Sequence, residues 1–206
     1  EIMPSLVGSE MCIRDRLNPG DEVLVPEPSY VSYAPCVTLA DGVPVPIPMK
    51  EENEFKLTAE ELEAAITPKT KILVLPFPNN PTGAIMTKED LEPIAKLVEK
   101  YDLYVLSDEI YSELTYKTEH VSIASLPGMR ERTLVVNGFS KGLAMTGWRL
   151  GYICGPQIIM EQMVKIHQYA ILCAPTNSQY AAIEGLKNCD DEIQKMRTAY
   201  LSLIHI

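Results

Sequence analysis

A lysine and an arginine that could act together lie in the stretch NGFSKGLAMTGWRLG, from Asn137 to Gly151. Lys141 follows the apolar run Thr133–Val136, and Arg149 comes eight residues later. At the end of a buried strand, desolvation destabilises the ammonium form of a lysine, so its amine becomes a candidate nucleophile. An arginine carries a planar guanidinium group that can bind a phosphate through two hydrogen bonds. The pair therefore indicates a site for a phosphorylated carbonyl compound.

Pyridoxal phosphate combines an aldehyde with a phosphate and is held by lysine as a Schiff base, so it is the cofactor that this pair indicates. The two residues alone leave a simpler interpretation open. In that interpretation Lys141 is a surface lysine in a turn and Arg149 forms a salt bridge. The choice depends on what the rest of the chain places beside Lys141.

The composition is that of a globular protein and argues against several classes of function. Of the 206 residues, 46% are hydrophobic, and the net charge is −10. Nucleic-acid binding is disfavoured, since phosphate backbones are bound by basic patches. No apolar run approaches the roughly 18 residues of a membrane span. The five cysteines form no C-x-x-C pair. We expect a cytoplasmic protein with reduced, mostly buried thiols and with no metal, nucleic-acid or membrane partner.

The two ends of the chain differ from the rest. Glu1–Arg16 reads EIMPSLVGSEMCIRDR, without sustained periodicity, and Leu201–Ile206 reads LSLIHI. Both resemble translated sequencing-adapter read-through, so we expect residues 1–16 and 201–206 to be non-native and leave them out of the fold prediction. Residues 17–200 are interpreted as one domain, truncated at both ends.

Between these ends, strand-like and helix-like segments alternate. Capping-box patterns begin helices at Thr58 and Thr87. Val43–Pro48, with proline at every second position, favours an edge strand, where missing N–H groups do least harm. Further strands are predicted at Glu22–Pro26, Lys71–Phe77, Leu103–Ser107, Thr133–Val136 and Leu150–Cys154, and further helices at Ser29–Leu39, Ile158–Ala170, Asn177–Leu186 and from near Asp190. The alternation predicts a three-layer α/β/α domain with a mostly parallel sheet.

Polar residues follow three of the predicted strands. These segments are PNNPTG at Pro78–Gly83, DEIY at Asp108–Tyr111 and NGFSK at Asn137–Lys141. Ligands bind at the carboxyl ends of the strands in sheets of this kind. We therefore expect the three segments to converge on one site.

With these segments the sequence resembles the class I/II aminotransferases, the fold-type I family of pyridoxal-phosphate-dependent enzymes. The resemblance runs from Leu17 to about Tyr200. It rests on PEPSYVSY at Pro26–Tyr33, PNNPTG at Pro78–Gly83, SDEIYSEL at Ser107–Leu114 and GFSKGLAMTGWRLGY at Gly138–Tyr152. It implies part of the large domain of such an enzyme, which transfers an amino group between an L-amino acid and a 2-oxo acid. It also implies a homodimer for the intact protein, and little activity for this chain alone.

The resemblance implies a role for each matching side chain. Lys141 would form the Schiff base and then move the proton between the substrate α-carbon and the cofactor. Asp108 would pair with the pyridine nitrogen and keep it protonated. Tyr111 and Asn80 would donate hydrogen bonds to the phenolic oxygen of the ring. On residue types alone, Asp108 could instead cap a following helix, and Asn80 could be a turn residue.

Three further residues would complete the cofactor site. Tyr30 would stack on the face of the ring, although Tyr30 and Tyr33 at three-residue spacing are also typical of a core. Arg149 would bind the phosphate. Ser140 could reach the same phosphate, although many families place the phosphate-binding serine three residues before the lysine, where this chain has Gly138.

Two other functions remain open. Carbon–sulfur β-lyases share this fold and these motifs, and they use the same cofactor. An aminotransferase-like region also serves as the ligand-sensing domain of some transcription regulators, where it follows a winged-helix domain.

Overall fold

The computed structural model describes the backbone of Ile2–Met3 and residues 17–204. The expectation that residues 1–16 are non-native thus falls mostly outside the described residues. The same holds for residues 205–206 of the suspected tail. Ile2–Met3 forms a short strand, and the last helix continues to Leu203.

One mixed sheet forms the centre of the described fold. Its strands are β1 (Ile2–Met3), β2 (Glu22–Glu27), β3 (Val43–Pro48), β4 (Thr70–Leu75), β5 (Tyr104–Asp108), β6 (Thr133–Gly138) and β7 (Gly151–Cys154). Their spatial order is β1-β7-β6-β5-β4-β2-β3. Strands β2 to β6 run parallel to one another, whereas β7 pairs antiparallel with both β6 and β1. The predicted mostly parallel sheet is confirmed, and the proline-rich β3 lies at its edge.

The described α-helices are α1 (Tyr33–Leu39), α2 (Ala59–Ala65), α3 (Lys88–Lys100), α4 (Phe139–Gly142), α5 (Gln157–Ala170), α6 (Thr176–Asn188) and α7 (Asp190–Leu203). Thr58 and Thr87 begin α2 and α3 with complete capping boxes, as predicted. The prediction of a helix at Ser29–Leu39 is wrong at its start, because the helix begins at Tyr33. The residues before Tyr33 form a bend and a turn, in which the Tyr33 N–H donates to the carbonyl of Tyr30. This start leaves Tyr30 outside the helix.

Alternating side chains of the central strands bury both faces of the sheet, which produces the predicted three layers. One face packs against α2 and α3, through Leu24, Leu73, Leu75, Val105, Leu62, Leu91, Ile94 and Val98. The opposite face packs against α1 and α5, through Val23, Val25, Ile72, Val74, Leu106, Val37, Ile159 and Met163. Because helices cover both faces of the sheet, a ligand can approach it at the ends of the strands.

The expectation of mostly buried thiols is wrong for the described cysteines. Cys154 and Cys173 are exposed, and Cys36 and Cys189 are half-buried. Cys154 ends strand β7 and Cys173 lies between α5 and α6, so neither position reaches the core. Within residues 17–204, no three metal-ligating side chains cluster, and no helix is long and apolar enough to span a membrane.

Candidate active site

A cavity of about 230 Å³ lies at the carboxyl ends of β4, β5 and β6. Its lining includes all seven residues that the sequence singled out, namely Tyr30, Asn80, Asp108, Tyr111, Ser140, Lys141 and Arg149. It also includes Tyr33, Ile110, Val136 and Thr146, which the sequence did not single out as site residues. The expected convergence of the strand ends is confirmed.

Lys141 enters the cavity from α4, which follows β6 directly. Its Nζ lies 5.7 Å from the centre of the Tyr111 ring, within reach of a cation–π contact. Within residues 17–204, no carboxylate forms an ion pair with this amine. Among the described residues, the lysine thus contacts an aromatic face and no carboxylate, which leaves its amine available to a carbonyl compound in the cavity.

Asp108 is the last residue of β5 and is held through both carboxylate oxygens. The Tyr33 hydroxyl donates to Oδ2 at 2.8 Å, and the Ile110 N–H donates to Oδ1 at 3.2 Å. Burial raises the pKa of the Asp108 carboxyl, and the hydrogen bonds from Tyr33 and Ile110 offset only part of that increase. Asp108 does not cap the helical turn Ser112–Leu114 that follows, because Tyr111 is the N-cap residue of that turn. Asp108 instead lines the cavity, where its carboxyl group is suited to a cationic N–H group.

Tyr33 holds Asp108 from α1 across 75 residues of sequence. Its ring is only 3% exposed and meets the ring of Tyr30 edge-on, with centroids 5.9 Å apart. Burial first, and then the charge of Asp108, raise the pKa of Tyr33 well above its ordinary value. The hydroxyl therefore keeps its proton and acts as a donor. Tyr33 is the core residue of the pair, whereas Tyr30 is 39% exposed and lies against the cavity.

Replacing Tyr33 with Phe is expected to raise the pKa of Asp108 further, because it removes a hydrogen bond that favours the carboxylate. Carbon-13 NMR titration of the Asp108 carboxyl in cofactor-free protein would measure the change. Tyr101→Phe is the matched control, because Tyr101 donates to Glu63 at 2.9 Å on the surface. An Asp108 titration that is the same in both variants would contradict the assignment.

The phosphate-binding candidates are Ser140, within α4, and Arg149, a few residues after it. The Oγ of Ser140 is buried and lacks a hydrogen-bond partner among the described residues. A buried hydroxyl without a partner is costly, so an acceptor such as a phosphate oxygen would stabilise this arrangement. The neighbouring Thr146 hydroxyl donates to the Ser140 carbonyl at 2.8 Å. Ser140 therefore fits the role that its position beside Lys141 suggested.

Arg149 is exposed at the rim of the cavity. Its Nη1 donates to the carbonyl of Thr146 at 2.9 Å, and its backbone is left-handed, with φ 52° and ψ 53°. No carboxylate pairs with Arg149 in the part of the chain that the structure describes. The bond to Thr146 fixes the side chain and leaves other guanidinium N–H groups available to an anion.

Asn79, rather than Asn80, is the turn residue of the PNNPTG segment. The Asn79 side chain is 4% exposed, and its Oδ1 accepts hydrogen bonds from the N–H and the hydroxyl of Thr82, at 3.2 and 2.9 Å. Asn80 is exposed and lines the cavity. The Asn79 amide thus closes the turn, whereas Asn80 lines the cavity.

Gly138 stands where β6 and β7 approach closely, which explains why no serine occupies this position. A Cβ atom there would lie 3.0 Å from the Cα of Gly151, 3.1 Å from the Leu150 carbonyl oxygen and 3.2 Å from the Ile110 side chain. Two of these are backbone atoms, which cannot shift without disturbing the strand pair. A phosphate-binding hydroxyl therefore has room at Ser140 but not at residue 138.

Replacing Gly138 with Ala is expected to destabilise the protein by about 1–3 kcal/mol through overpacking. Gly147→Ala is the control, since a Cβ at Gly147 meets nothing within 4 Å. That control should change the free energy of unfolding by no more than about 0.5 kcal/mol. Urea denaturation of both variants would measure the difference, and equal stabilities would disprove the steric explanation.

Comparisons with known proteins identify the family of this chain. The model of the family described as aminotransferase class I and II matches residues 7–205. The chain is 49% identical over 187 residues to aromatic-amino-acid aminotransferase 2 of Thermococcus litoralis, with 89% of this chain and 48% of that protein aligned. It is 50% identical over 190 residues to the aspartate aminotransferase of Pyrococcus abyssi, with 89% of this chain and 48% of that protein aligned.

A solved aminotransferase structure has the same fold as this chain. The aromatic aminotransferase from Pyrococcus horikoshii OT3 superposes with a TM-score of 0.94 at 47% identity, covering 97% of this chain and 54% of that one. This chain thus spans about half the length of these relatives. The resemblance inferred from four motifs is confirmed, and the chain belongs to the class I and II aminotransferase family.

Proposed function

We propose that the full-length enzyme containing this chain transfers an amino group between an L-amino acid and a 2-oxo acid, with pyridoxal 5′-phosphate as its cofactor. One observation carries the proposal: a single cavity at the strand ends is lined by Lys141, Asp108 and Ser140, and the Ser140 hydroxyl has no hydrogen-bond partner among the described residues. An amine, a carboxylate and a phosphate donor at one site match the aldehyde, the ring nitrogen and the phosphate of this cofactor. Membership of the family supports the same assignment.

The cofactor, when bound, supplies an aldehyde carbon for the amino group and a ring that accepts electron density from the substrate α-carbon. Asp108 would face the ring nitrogen, with its carboxylate held by Tyr33. Ser140 would donate its hydroxyl to the phosphate, and Arg149 would bind the same group through its guanidinium. Each of these side chains already lines the cavity, so binding requires no rearrangement of the sheet.

The reactive side chain is Lys141. Its Nζ would hold the cofactor and would also act as a general base and acid, moving the proton between the substrate α-carbon and the cofactor. The contact of Nζ with the Tyr111 ring keeps the amine near the reacting atoms. The hydroxyl of Tyr111 and the amide of Asn80 would orient the ring through its phenolic oxygen, and Tyr30 would cover one face of it.

The remaining assignments belong to the whole protein. We place the enzyme in the cytoplasm as a homodimer, and we expect the group that binds the substrate carboxylate to lie outside this chain. Residues 1–16 and 201–206 stay predicted non-native segments.

A spectroscopic assay tests the proposed function. Full-length protein is loaded with pyridoxal phosphate and mixed with each of a panel of L-amino acids, while the visible absorbance of the lysine adduct is followed. At least one amino acid should bleach this absorbance and yield its 2-oxo acid, and a second oxo acid should restore the absorbance. Release of pyruvate and a thiol from cystathionine, without an oxo acid derived from the donor, would identify a β-lyase instead. Protein that never takes up the cofactor would disprove the proposal.

A further inference from the structure

A buried carboxylate lies directly beside Asp108, and the proposed chemistry does not use it. Glu109 is 4% exposed. Its Oε1 accepts hydrogen bonds from the hydroxyls of Ser107 at 2.8 Å and Ser122 at 2.6 Å. Its Oε2 lies 2.8 Å from Nε2 of His120. Because an ionised carboxylate only accepts hydrogen bonds, Nε2 of His120 is assigned as the donor in this contact.

The alternation of the strand separates this cluster from the cavity. Consecutive side chains at the end of β5 point to opposite faces of the sheet, so Ser107 and Glu109 share one face and Asp108 takes the other. Asp108, Ile110 and Tyr111 line the cavity, whereas Glu109 does not. The segment from Asp108 to Tyr111, which supplies two of the proposed cofactor contacts, is thus held by hydrogen bonds to Glu109 on the face of the sheet away from the cavity.

The main chain of Glu109 is held as firmly as its side chain. Its N–H donates to the carbonyl of Val136 on the neighbouring strand β6 at 2.8 Å, and its carbonyl accepts from the Ser112 N–H at 2.9 Å. The side chain also forms hydrogen bonds with His120 and Ser122, in a loop more than ten residues downstream. Together these bonds connect β5, β6 and that loop at one residue.

A carboxylate in this position needs an explanation. Burying a charge costs stability unless each oxygen is hydrogen-bonded, and an apolar side chain of similar volume usually packs at lower cost. Here both oxygens have donors, so the charge is accommodated without being exposed. A residue that is expensive to bury and fully bonded is suited to fixing one conformation of its backbone.

We propose that Glu109 and His120 are positioning residues, which hold the segment from Asp108 to Tyr111 in the orientation that cofactor binding requires. This inference rests on the proposed function for its link to the cofactor. The negative charge of Glu109 also contributes to raising the pKa of Asp108, after the larger effect of burial, so the cluster acts on that carboxyl electrostatically as well.

The test uses the full-length protein and two variants at one position. His120→Leu removes the donor to Glu109, whereas His120→Gln can place an amide N–H near the same point and keep the bond. Loss of a hydrogen bond to a buried charge corresponds to about a tenfold change in an equilibrium constant, or more. We expect the Kd for pyridoxal phosphate to rise about tenfold in His120→Leu and to stay within about twofold of wild type in His120→Gln.

Amide hydrogen exchange provides a readout that needs no cofactor. In the cofactor-free protein, the N–H of Ile110 is bonded to Asp108 and that of Ser112 to Glu109. Both should exchange faster in His120→Leu and at the wild-type rate in His120→Gln. Arg132→Leu is the stability control. Arg132 pairs at 2.8 Å with Asp102, which precedes the first residue of β5 and so lies at the end of that strand away from Glu109. This substitution should lower the melting temperature without changing the Kd or these two exchange rates.

The outcomes separate the two proposals. If wild type does not take up pyridoxal phosphate, the proposed function fails, and unchanged exchange in His120→Leu would additionally overturn the anchoring. If wild type is loaded but His120→Leu keeps its Kd, the inference is overturned whatever the exchange rates are. If His120→Leu does not fold, Ser107→Ala tests the inference instead, because it removes another donor to Glu109. The Kd for pyridoxal phosphate should then rise in Ser107→Ala, and an unchanged Kd would overturn the inference.

Discussion

Replacing Lys141 with Ala is expected to abolish covalent attachment of pyridoxal phosphate and to slow amino transfer by a factor of about 10²–10⁴ or more. The amine both attaches the cofactor and moves the proton in the proposed mechanism, so both functions are lost together. Absorbance of the loaded full-length protein and mass spectrometry after borohydride reduction would measure attachment. Stability should change little, because the lysine is partly exposed and forms no ion pair within residues 17–204.

The matched control for this variant is Lys165→Ala. Lys165 lies on α5, where its Nζ donates to the side chain of Gln162 at 2.9 Å, and it does not line the cavity. Its replacement should leave both the adduct and the rate unchanged. A reduced adduct that persists in the Lys141→Ala protein would mean that another lysine holds the cofactor.

Replacing Asp108 with Asn is expected to lower the rate by a factor of about 10²–10³, because a neutral amide cannot stabilise a protonated ring nitrogen. The Tyr33 hydroxyl can still donate to the amide oxygen, so the side chain should keep its position. Steady-state kinetics of the full-length enzyme would show the loss mainly in kcat. A variant with wild-type kcat would show that Asp108 does not act on the ring.

The same substitution should have the opposite effect on stability. The folded pKa of Asp108 is raised, mainly by burial, so the folded protein binds its proton more tightly than the unfolded chain does. Stability of the wild type therefore falls as pH rises from the ordinary aspartate value of about 4 to the raised folded pKa. In D108N this carboxyl group is absent, so the variant does not lose stability through it as pH rises. Urea denaturation across that window should show its relative stability rising with pH; a constant difference would contradict the raised pKa.

Much of the fold follows from local patterns. The capping boxes at Thr58 and Thr87 mark real helix starts, because a threonine three residues before an acidic side chain satisfies N–H groups that any helix leaves unpaired. The proline alternation of Val43–Pro48 places that strand at the sheet edge for an equally local reason. The start of α1 was missed, since the bend and turn before Tyr33 left no comparably clear signal.

The candidate site was predictable where its residues follow strands. Lys141, Asp108 and Asn80 lie in the short segments that follow apolar runs, and parallel strands bring these segments to one end of the sheet. The partners of these residues were not predictable. Tyr33 reaches Asp108 from 75 residues away, and nothing in the spacing of two tyrosines says which one is buried.

By itself the sequence determined the family, the three layers and which side chains meet at the strand ends, because short-range patterns and strand order decide these. The tertiary structure decided the roles of near neighbours: Asn79 closes a turn while Asn80 faces the cavity, and Ser140 has space that Gly138 lacks. It also showed that Glu109 is buried behind Asp108. The turn at Asn79 is a local contact with Thr82, but the surroundings of Asn80, Gly138 and Glu109 depend on segments farther along the chain, whose distances exist only once the sheet has formed.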